Sequence, residues 1–108
     1  VEYRGTYSQY RDARAADVGF LFLAAYWSNE YGGRTWLLDE LVVDASERGK
    51  GYGGAVLEAV VARASGAGIP CVWLEVDADN PQARALYERH GFVDTTRSCL
   101  RRLLPPTT

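Results

Sequence analysis

The strongest constraint on this chain is a glycine-rich segment that follows an apolar run and precedes an amphipathic one. The segment comprises Arg48, Gly49, Lys50, Gly51, Tyr52, Gly53 and Gly54, and the apolar run comprises Leu41, Val42 and Val43. Glycines between a strand and a helix let the backbone approach a ligand closely, and the free N–H groups of a first helical turn favour an anion. The segment therefore predicts a strand, a phosphate-binding loop and a helix, with a ligand that carries phosphate or pyrophosphate.

A P-loop is the first of three phosphate-binding loops that could explain this segment. In a P-loop, Ser or Thr follows the Lys and supplies a hydroxyl ligand to magnesium. Here Gly51 follows Lys50, so the segment does not supply that ligand. The sequence therefore argues against a P-loop.

The second candidate is the dinucleotide-binding fingerprint Gly-x-Gly-x-x-Gly, which Gly49, Gly51 and Gly54 match formally. Glu75 also lies near the distance expected for the acid that binds the ribose. In that fold, however, the glycines follow the strand at once, whereas the polar residues 44–48 intervene here. A nucleotide- or dinucleotide-binding domain is therefore the weaker alternative.

The third pattern, Arg48-x-x-Gly51-x-Gly53, resembles the acetyl-CoA loop of the GNAT superfamily of N-acetyltransferases. The signature of that loop is Gln/Arg-x-x-Gly-x-Gly/Ala between a strand and a long helix. A second block of the family is matched in order and spacing by Trp73-Leu74-Glu75-Val76, Asn80, Ala83 and Leu86-Tyr87-Glu88-Arg89-His90-Gly91-Phe92. The resemblance runs from about Val18 to Val93, which favours this interpretation over the other two.

This resemblance implies a function and a set of cofactor contacts. The function is transfer of an acetyl group from acetyl-CoA, the co-substrate, to a primary amine by direct transfer in a ternary complex. The acceptor would be a small amine or a peptide or protein amine. The positions that match the cofactor site are Leu41, Val42, Val43, Arg48, Gly49, Lys50, Gly51, Tyr52, Gly53, Gly54, Asn80, Ala83 and Tyr87.

Catalytic candidates also follow from the resemblance. The family places its general acid at the tyrosine that corresponds to Tyr87, because the departing thiolate needs a proton. By similarity to polyamine-type members, Asp39 would face the acceptor amine as a base, with Glu40 as the alternate. Strand periodicity puts these two carboxylates on opposite faces, with Leu37 and Leu41 on the side of Asp39. A packed tyrosine and a solvated or ion-paired carboxylate are the structural alternatives.

Hydrophobic periodicity and turn residues predict the fold class, which is α/β in the broad sense and α+β in detail. The expected strands are 3–10, 18–27, 35–43, 71–76 and one after residue 91, and the expected helices are 55–65 and 81–90. Gly66 and Gly91 should end the helices, and Asn80 should cap the second one. As in GNAT proteins, the sheet should be mixed and mostly antiparallel, with a central parallel strand pair flanked by helices.

Domain organisation and composition narrow the function further. The 108 residues are expected to form one domain, residues 1–108, in which the family's first elements have no counterpart before Val18. A net charge of −2 and a pI of about 5.3 argue against a nucleic-acid partner. Neither a membrane span nor a signal peptide is indicated, so a cytoplasmic location is expected. Cys71 and Cys99 lack metal spacing and are expected to be reduced, buried thiols without a metal site.

Several features allow more than one interpretation. His90 is expected mainly to stabilise the C-terminus of the second helix, where a cation is favourable, rather than to act in catalysis. Four aromatic residues near the hairpin could form a substrate wall or simply pack, namely Tyr26, Trp27, Tyr31 and Trp36. An exposed edge at the first strand predicts a homodimer. The alternative to an enzyme is a catalytically weak module that binds or senses acyl-CoA.

Overall fold

The computed structural model describes residues 5–11 and 17–107. The elements in chain order are β1 (Gly5–Arg11), β2 (Asp17–Ser28), β3 (Gly33–Val43), α1 (Tyr52–Gly66), β4 (Val72–Leu74) and α2 (Pro81–Arg89). One sheet contains the four strands in the order β1-β2-β3-β4. The mixed α+β architecture expected from the sequence is confirmed.

An antiparallel meander of β1, β2 and β3 makes up most of the sheet. The predicted hairpin between residues 18–27 and 35–43 is confirmed, and it turns through a short 3-10 segment at Asn29–Tyr31. Gly32 closes the turn in the left-handed region at φ 79°, where a residue without Cβ is favoured. Of the first predicted strand, residues 3 and 4 lie outside the described part of the chain.

The parallel pair of the sheet is short. Strand β4 pairs with β3 at only three positions, which are Trp36–Val72, Leu37–Trp73 and Leu38–Leu74. The predicted strand at 71–76 is therefore longer than the observed one. Beyond Leu38 and Leu74 no ladder joins the two strands, so the sheet opens at this place.

A β-bulge lies at the point where the sheet opens. Phe22 of β2 pairs with Glu40, but the next residue of β2, Leu23, pairs with Leu38, so Asp39 is an extra residue on β3. The bulge shifts the side-chain alternation by one position, which puts Leu37 and Leu41 on opposite faces. The expectation that Leu37, Asp39 and Leu41 share one face is wrong for this reason.

The core lies between one face of the sheet and α1. Leu57 is fully buried at its centre, and the buried cluster also contains Leu21, Leu38, Val56 and Val60. On α1, Val56, Leu57 and Val60 recur at helical spacing, as the amphipathic run in the sequence predicts. The packing fixes the direction of α1, and therefore the position of the glycine loop that precedes it.

Both helices end at a glycine, although not both at the expected one. Helix α1 includes Gly66 and ends through Gly68, at φ 73°, with Gly68 and Ile69 donating to the carbonyls of Ser65 and Ala64. This is the hydrogen-bond pattern of a Schellman motif. Helix α2 ends at Gly91, at φ 87°, as predicted.

The chain after α2 differs from the expectation. Residues 92–107 contain neither helix nor strand, so the last predicted strand does not form. Cys99 in this segment is exposed, contrary to the expectation of a buried thiol, whereas Cys71 is partly buried. Burial and the negative charge of Glu30 raise the pKa of the Cys71 thiol above its ordinary value of 9.0.

The end of α1 can be tested with two alanine substitutions. Gly66→Ala should stabilise the protein by up to ~1 kcal/mol, because alanine favours the helix and a Cβ there meets nothing within 4 Å. Gly68→Ala should destabilise it by about 1–2 kcal/mol, because residue 68 adopts a left-handed conformation. Urea unfolding followed by circular dichroism measures both changes. Stabilisation by Gly68→Ala would contradict the assigned helix end.

Candidate active site

The glycine loop places an unpaired helix N-terminus at the end of β3. Gly49 and Gly51 adopt positive φ angles of 81° and 83°, and Gly51 is the N-cap of α1. The first helical hydrogen bond runs from the N–H of Ala55 to the carbonyl of Gly51, at 3.1 Å. The N–H groups of residues 52–54 therefore have no partner within the helix. The first turn carries no acidic side chain, so its electrostatics suit an anion.

The two basic residues of the loop are placed differently. Arg48 donates from Nε to the carbonyl of Val43 at 3.2 Å, which holds its exposed guanidinium beside the end of β3. Lys50 forms an ion pair with Glu47 at 2.7 Å. The charge of Lys50 is thus locally balanced by a carboxylate, and Arg48 is the better placed of the two to meet an anion.

Gly53 and Gly54 also have a packing role that the sequence motif does not show. A Cβ at Gly53 would lie 3.3 Å from Leu86, and one at Gly54 would lie 2.7 Å from Nε2 of His90. The His90 ring is held there because its Nδ1 lies 2.7 Å from Oε1 of Glu58 on α1. The two glycines therefore let α2 pack closely against the start of α1.

Asn80 connects the opening of the sheet to α2. Its Oδ1 accepts a hydrogen bond from the N–H of Ala83 at 3.1 Å, which confirms the predicted N-cap. The side-chain amide nitrogen makes no hydrogen bond within the described part of the chain. Asn80 follows residues 75–79, which lead away from the end of β4.

Tyr87 lines a cavity whose wall also includes residues of β3 and β4. The cavity has a volume of about 650 Å³, and its wall includes Leu37, Trp73, Leu74 and Tyr87. The Tyr87 ring is partly buried and contacts Phe92 edge-on, with 6.2 Å between the ring centres. Burial raises the pKa of the Tyr87 phenol above its ordinary value of 10.0, so the hydroxyl keeps its proton at neutral pH. A protonated hydroxyl at a cavity wall is suited to donate a proton.

Of the two carboxylates expected at the site, only the side chain of Asp39 is described. Asp39 is exposed on the bulge, in line with the solvated alternative, and it does not line the Tyr87 cavity. The side chain of Glu40 lies outside the described part of the chain. Glu75, just after β4, does line the cavity and is exposed to solvent. The sequence motif contains Glu75, but the link between β4 and α2 was needed to bring it near Tyr87.

The aromatic residues divide between the two faces of the sheet. Tyr26 and Tyr31 contact Trp73 edge-on, with ring centres 6.0 and 5.4 Å apart. Tyr26 and Trp73 line the Tyr87 cavity, which is consistent with a substrate wall. Trp36 instead packs against the core under α1, and Trp27 is exposed. Trp73 is the aromatic member that the sequence analysis did not single out.

Among residues 5–11 and 17–107, no group of three or more His, Cys, Asp and Glu side chains is arranged to hold a metal ion. No described helix combines the length and the apolar character needed to cross a bilayer.

A four-stranded mixed sheet with one short parallel pair, together with two helices, defines an α+β domain. The family model of the acetyltransferase (GNAT) family matches residues 14–92. The chain therefore belongs to the GNAT family, which confirms the resemblance stated above.

Known relatives are similar over part of their length. The chain is 34% identical over 79 residues to the uncharacterized N-acetyltransferase YhfO of Bacillus subtilis, covering 73% of this chain and 53% of that protein. It is 39% identical over 71 residues to the ribosomal protein bS18-alanine N-acetyltransferase of Escherichia coli, covering 66% of this chain and 46% of that protein. The chain thus spans about half the length of these two relatives.

Solved structures show the same fold. An integron cassette protein from the mobile metagenome of Cole Harbour Salt Marsh superposes with a TM-score of 0.77 and 28% identity, covering 95% of this chain and 62% of that one. A ribosomal-protein-alanine N-acetyltransferase from Brucella melitensis superposes with a TM-score of 0.76 at 21% identity, covering 92% of this chain and 71% of that one.

The packing role of Gly54 leads to a double-mutant prediction. Gly54→Ala should lower the free energy of unfolding by about 1–3 kcal/mol, because the new methyl group would overlap the His90 ring. Adding His90→Ala should recover most of that loss, so the two changes should be non-additive by ~1 kcal/mol or more. Chemical denaturation of the four proteins in the cycle measures the coupling. Additive effects would show that the His90 ring does not limit this contact.

Proposed function

We propose that this protein transfers an acetyl group from acetyl-CoA to a primary amine within a ternary complex. The observation that carries the proposal is Tyr87, a protonated and partly buried phenol at the wall of a cavity that begins where β3 and β4 separate. The glycine loop at the N-terminus of α1 supplies an anion site on the same opening. Membership of the acetyltransferase family supports both parts.

Acetyl-CoA would bind along the opening of the sheet. Its pyrophosphate fits the free N–H groups of residues 52–54, with Arg48 as the cation. Its pantetheine arm has the hydrogen-bonding groups of a peptide, which match the backbone of β3 at residues 39–41 and of the chain after Leu74, where the described residues form no β3–β4 ladder. The Asn80 amide nitrogen would donate to the same arm, because Oδ1 is already used by the helix cap.

The chemistry needs one proton acceptor and one proton donor. The neutral amine attacks the thioester carbon, a C–N bond forms and the C–S bond breaks. Glu75 would take the amine proton through water, since its carboxylate lines the cavity and Asp39 does not. Tyr87 would give its proton to the departing CoA thiolate. The products are the acetamide and free CoA.

The acceptor class is proposed from a relative. The Escherichia coli relative is named for the alanine of ribosomal protein bS18, so the amine of a peptide or protein is the first acceptor to test, ahead of small amines. A homodimer belongs to the same proposal, because β1 lies at the edge of the described sheet and a second copy could pair with it. Both cysteines are free, which fits a reducing, cytoplasmic compartment.

Arg48 and Lys50 provide a matched test of cofactor binding. Arg48→Ala should weaken CoA binding about 3- to 10-fold at low salt and less at high salt, because it removes an exposed cation beside the anion site. Lys50→Ala should have the smaller effect, since Glu47 already balances its charge. Titration calorimetry with CoA at two potassium chloride concentrations measures both. A larger loss with Lys50→Ala would contradict the proposed placement of the pyrophosphate.

Tyr87→Phe tests the proton donor. The substitution keeps the ring contact with Phe92 and removes the proton, so kcat should fall at least tenfold while CoA affinity stays similar. Because burial raises the pKa of the phenol above 10.0, the midpoint of any alkaline loss of rate that depends on Tyr87 should lie above pH 10.0. Steady-state release of CoA thiol measures kcat. A fully active Phe variant, with no effect of solvent viscosity on kcat, would make Tyr87 a packing residue.

Glu75→Gln and Asp39→Asn compare the two candidate bases. Glu75→Gln should lower kcat about 10- to 100-fold, with partial recovery at higher pH, where more of the acceptor amine is already neutral. Asp39→Asn should change kcat less than about threefold, because Asp39 lies outside the cavity wall. The same thiol assay measures the pH profiles. The reverse order of effects would restore Asp39 as the base.

A domain that only binds acyl-CoA is the second candidate function. The observation that favours it is that Asp39, the carboxylate expected to act as the base, is exposed and does not line the Tyr87 cavity. CoA binding without turnover for any peptide or small amine would support this alternative.

A further inference from the structure

The segment after α2 forms one wall of the Tyr87 cavity although it has no secondary structure. Residues 93–99, here named the C-terminal strap, follow Phe92 and include six residues of that wall. These six are Val93, Asp94, Thr95, Arg97, Ser98 and Cys99. The strap lies on the side of Tyr26 and Trp73, away from the glycine loop. It therefore borders the side of the cavity that the acceptor would use.

Two ion pairs hold the strap to the rest of the fold. Arg97 binds Glu30 in a two-point contact, with nitrogen–oxygen distances of 2.8 and 3.0 Å. Glu30 belongs to the turn between β2 and β3, 67 residues away in sequence. At the other end, Asp94 accepts from Arg84 of α2 at 3.1 Å. The strap is thus tied to α2 at its start and to the hairpin turn near its end.

The strap has few internal constraints besides these ion pairs. Its backbone makes a tight turn in which the N–H of Thr96 donates to Oδ1 of Asp94 at 2.7 Å. Thr96 lies at a positive φ of 62°, which is unfavourable for a β-branched residue. No helix or strand hydrogen bonds hold residues 93–99. The position of this wall therefore depends on the contacts of Arg97 and Asp94.

We propose that the Arg97–Glu30 pair determines acceptor specificity by fixing the width of the cavity, an inference that rests on the acetyl-transfer function proposed above. When the pair is formed, the acceptor side of the Tyr87 cavity is a slot bounded by the strap, by Tyr26 and Trp73, and by Glu75. Such a slot favours an amine whose carbon carries small substituents, as that of an N-terminal alanine does, over an amine with bulkier branching. Arg97 and Glu30 are positioning residues in this proposal, because they touch neither the thioester nor the amine.

The exposure of the pair indicates that the slot can open. The side chain of Arg97 is 66% exposed and that of Glu30 is 49% exposed. Exposed ion pairs contribute weakly and are screened by salt. The protein should therefore exchange between a narrow and a wider slot, with high salt favouring the wider one.

Cys71 reports the position of the strap independently of activity. It lines a neighbouring cavity of about 570 Å³ whose wall also contains Tyr31 and the strap residues Val93 and Thr95. In a Cys99→Ser background, Arg97→Gln should speed maleimide labelling of Cys71 about two- to fivefold, the range set by loss of an exposed ion pair. Glu30, whose negative charge raises the pKa of the Cys71 thiol together with burial, stays in this variant, so loss of that charge cannot explain a faster rate.

Two controls make the labelling result specific. Arg101→Gln removes a nearby exposed arginine that has no ion-pair partner among residues 5–11 and 17–107, and it should leave the rate unchanged. Raising the salt concentration should speed labelling of the parent protein toward the rate of Arg97→Gln, which itself should respond little. Equal labelling rates in the parent protein, Arg97→Gln and Arg101→Gln at every salt concentration would overturn the proposal that the Arg97–Glu30 pair holds the strap in place.

Acceptor kinetics test the specificity itself. Arg97→Gln should raise the ratio of kcat/KM for a branched amine to that for an unbranched amine about two- to fivefold. The KM for acetyl-CoA should not change. The charge-swapped double variant, Glu30→Arg with Arg97→Glu, should restore the parent ratio. A purely structural role would instead alter acetyl-CoA KM and thermal stability together.

The outcomes separate this inference from the proposed function. An active parent protein whose acceptor ratio is unchanged by Arg97→Gln would overturn the specificity role and leave acetyl transfer intact. A folded parent protein without turnover would contradict the proposed function and with it the acceptor role, while the labelling rates would still show whether the strap closes.

Discussion

The β-bulge at Asp39 is the constraint on which the rest of the site depends. One extra residue on β3 twists that strand where its pairing with β4 ends, after Leu38 and Leu74. Without it, β3 and β4 could continue side by side, and their backbone groups would be paired with each other. The bulge instead leaves an opening in the middle of a packed domain. That opening can take a ligand with peptide-like groups, and it leads to the cavity that Tyr87 lines.

Close packing of the two helices sets the distance between the glycine loop and Tyr87, the two parts of the proposed site. Helix α1 starts at the glycine loop and α2 carries Tyr87, so the distance between anion site and phenol depends on how the helices meet. Gly53 and Gly54 allow that approach, because Cβ atoms there would meet Leu86 and His90. The same glycines thus serve the packing of the protein and belong to the proposed phosphate site. His90 takes part in this packing, and its contact with Glu58 holds its ring against Gly54.

Local features were predictable from the sequence, and long-range features were not. The hairpin, the Asn80 cap and the glycine loop each depend on a few consecutive residues, and the structure agrees with them. The bulge was missed because strand periodicity assumes regular alternation, so Asp39 was assigned to a face that it does not share. Glu75 was named for another role, since its proximity to Tyr87 depends on the turn after β4. The Arg97–Glu30 contact spans 67 residues, and no local pattern predicts it.

The proposed CoA site joins the opening created by the bulge to the start of α1, where the pyrophosphate would bind. Amide chemical shifts of the isotopically labelled protein, recorded during titration with CoA, show which residues the ligand contacts. The largest shifts should fall on residues 39–41 and on residues 52–54, with smaller ones at Asn80 and Tyr87. Shifts confined to other parts of the chain, or no shifts at millimolar CoA, would show that CoA does not bind there.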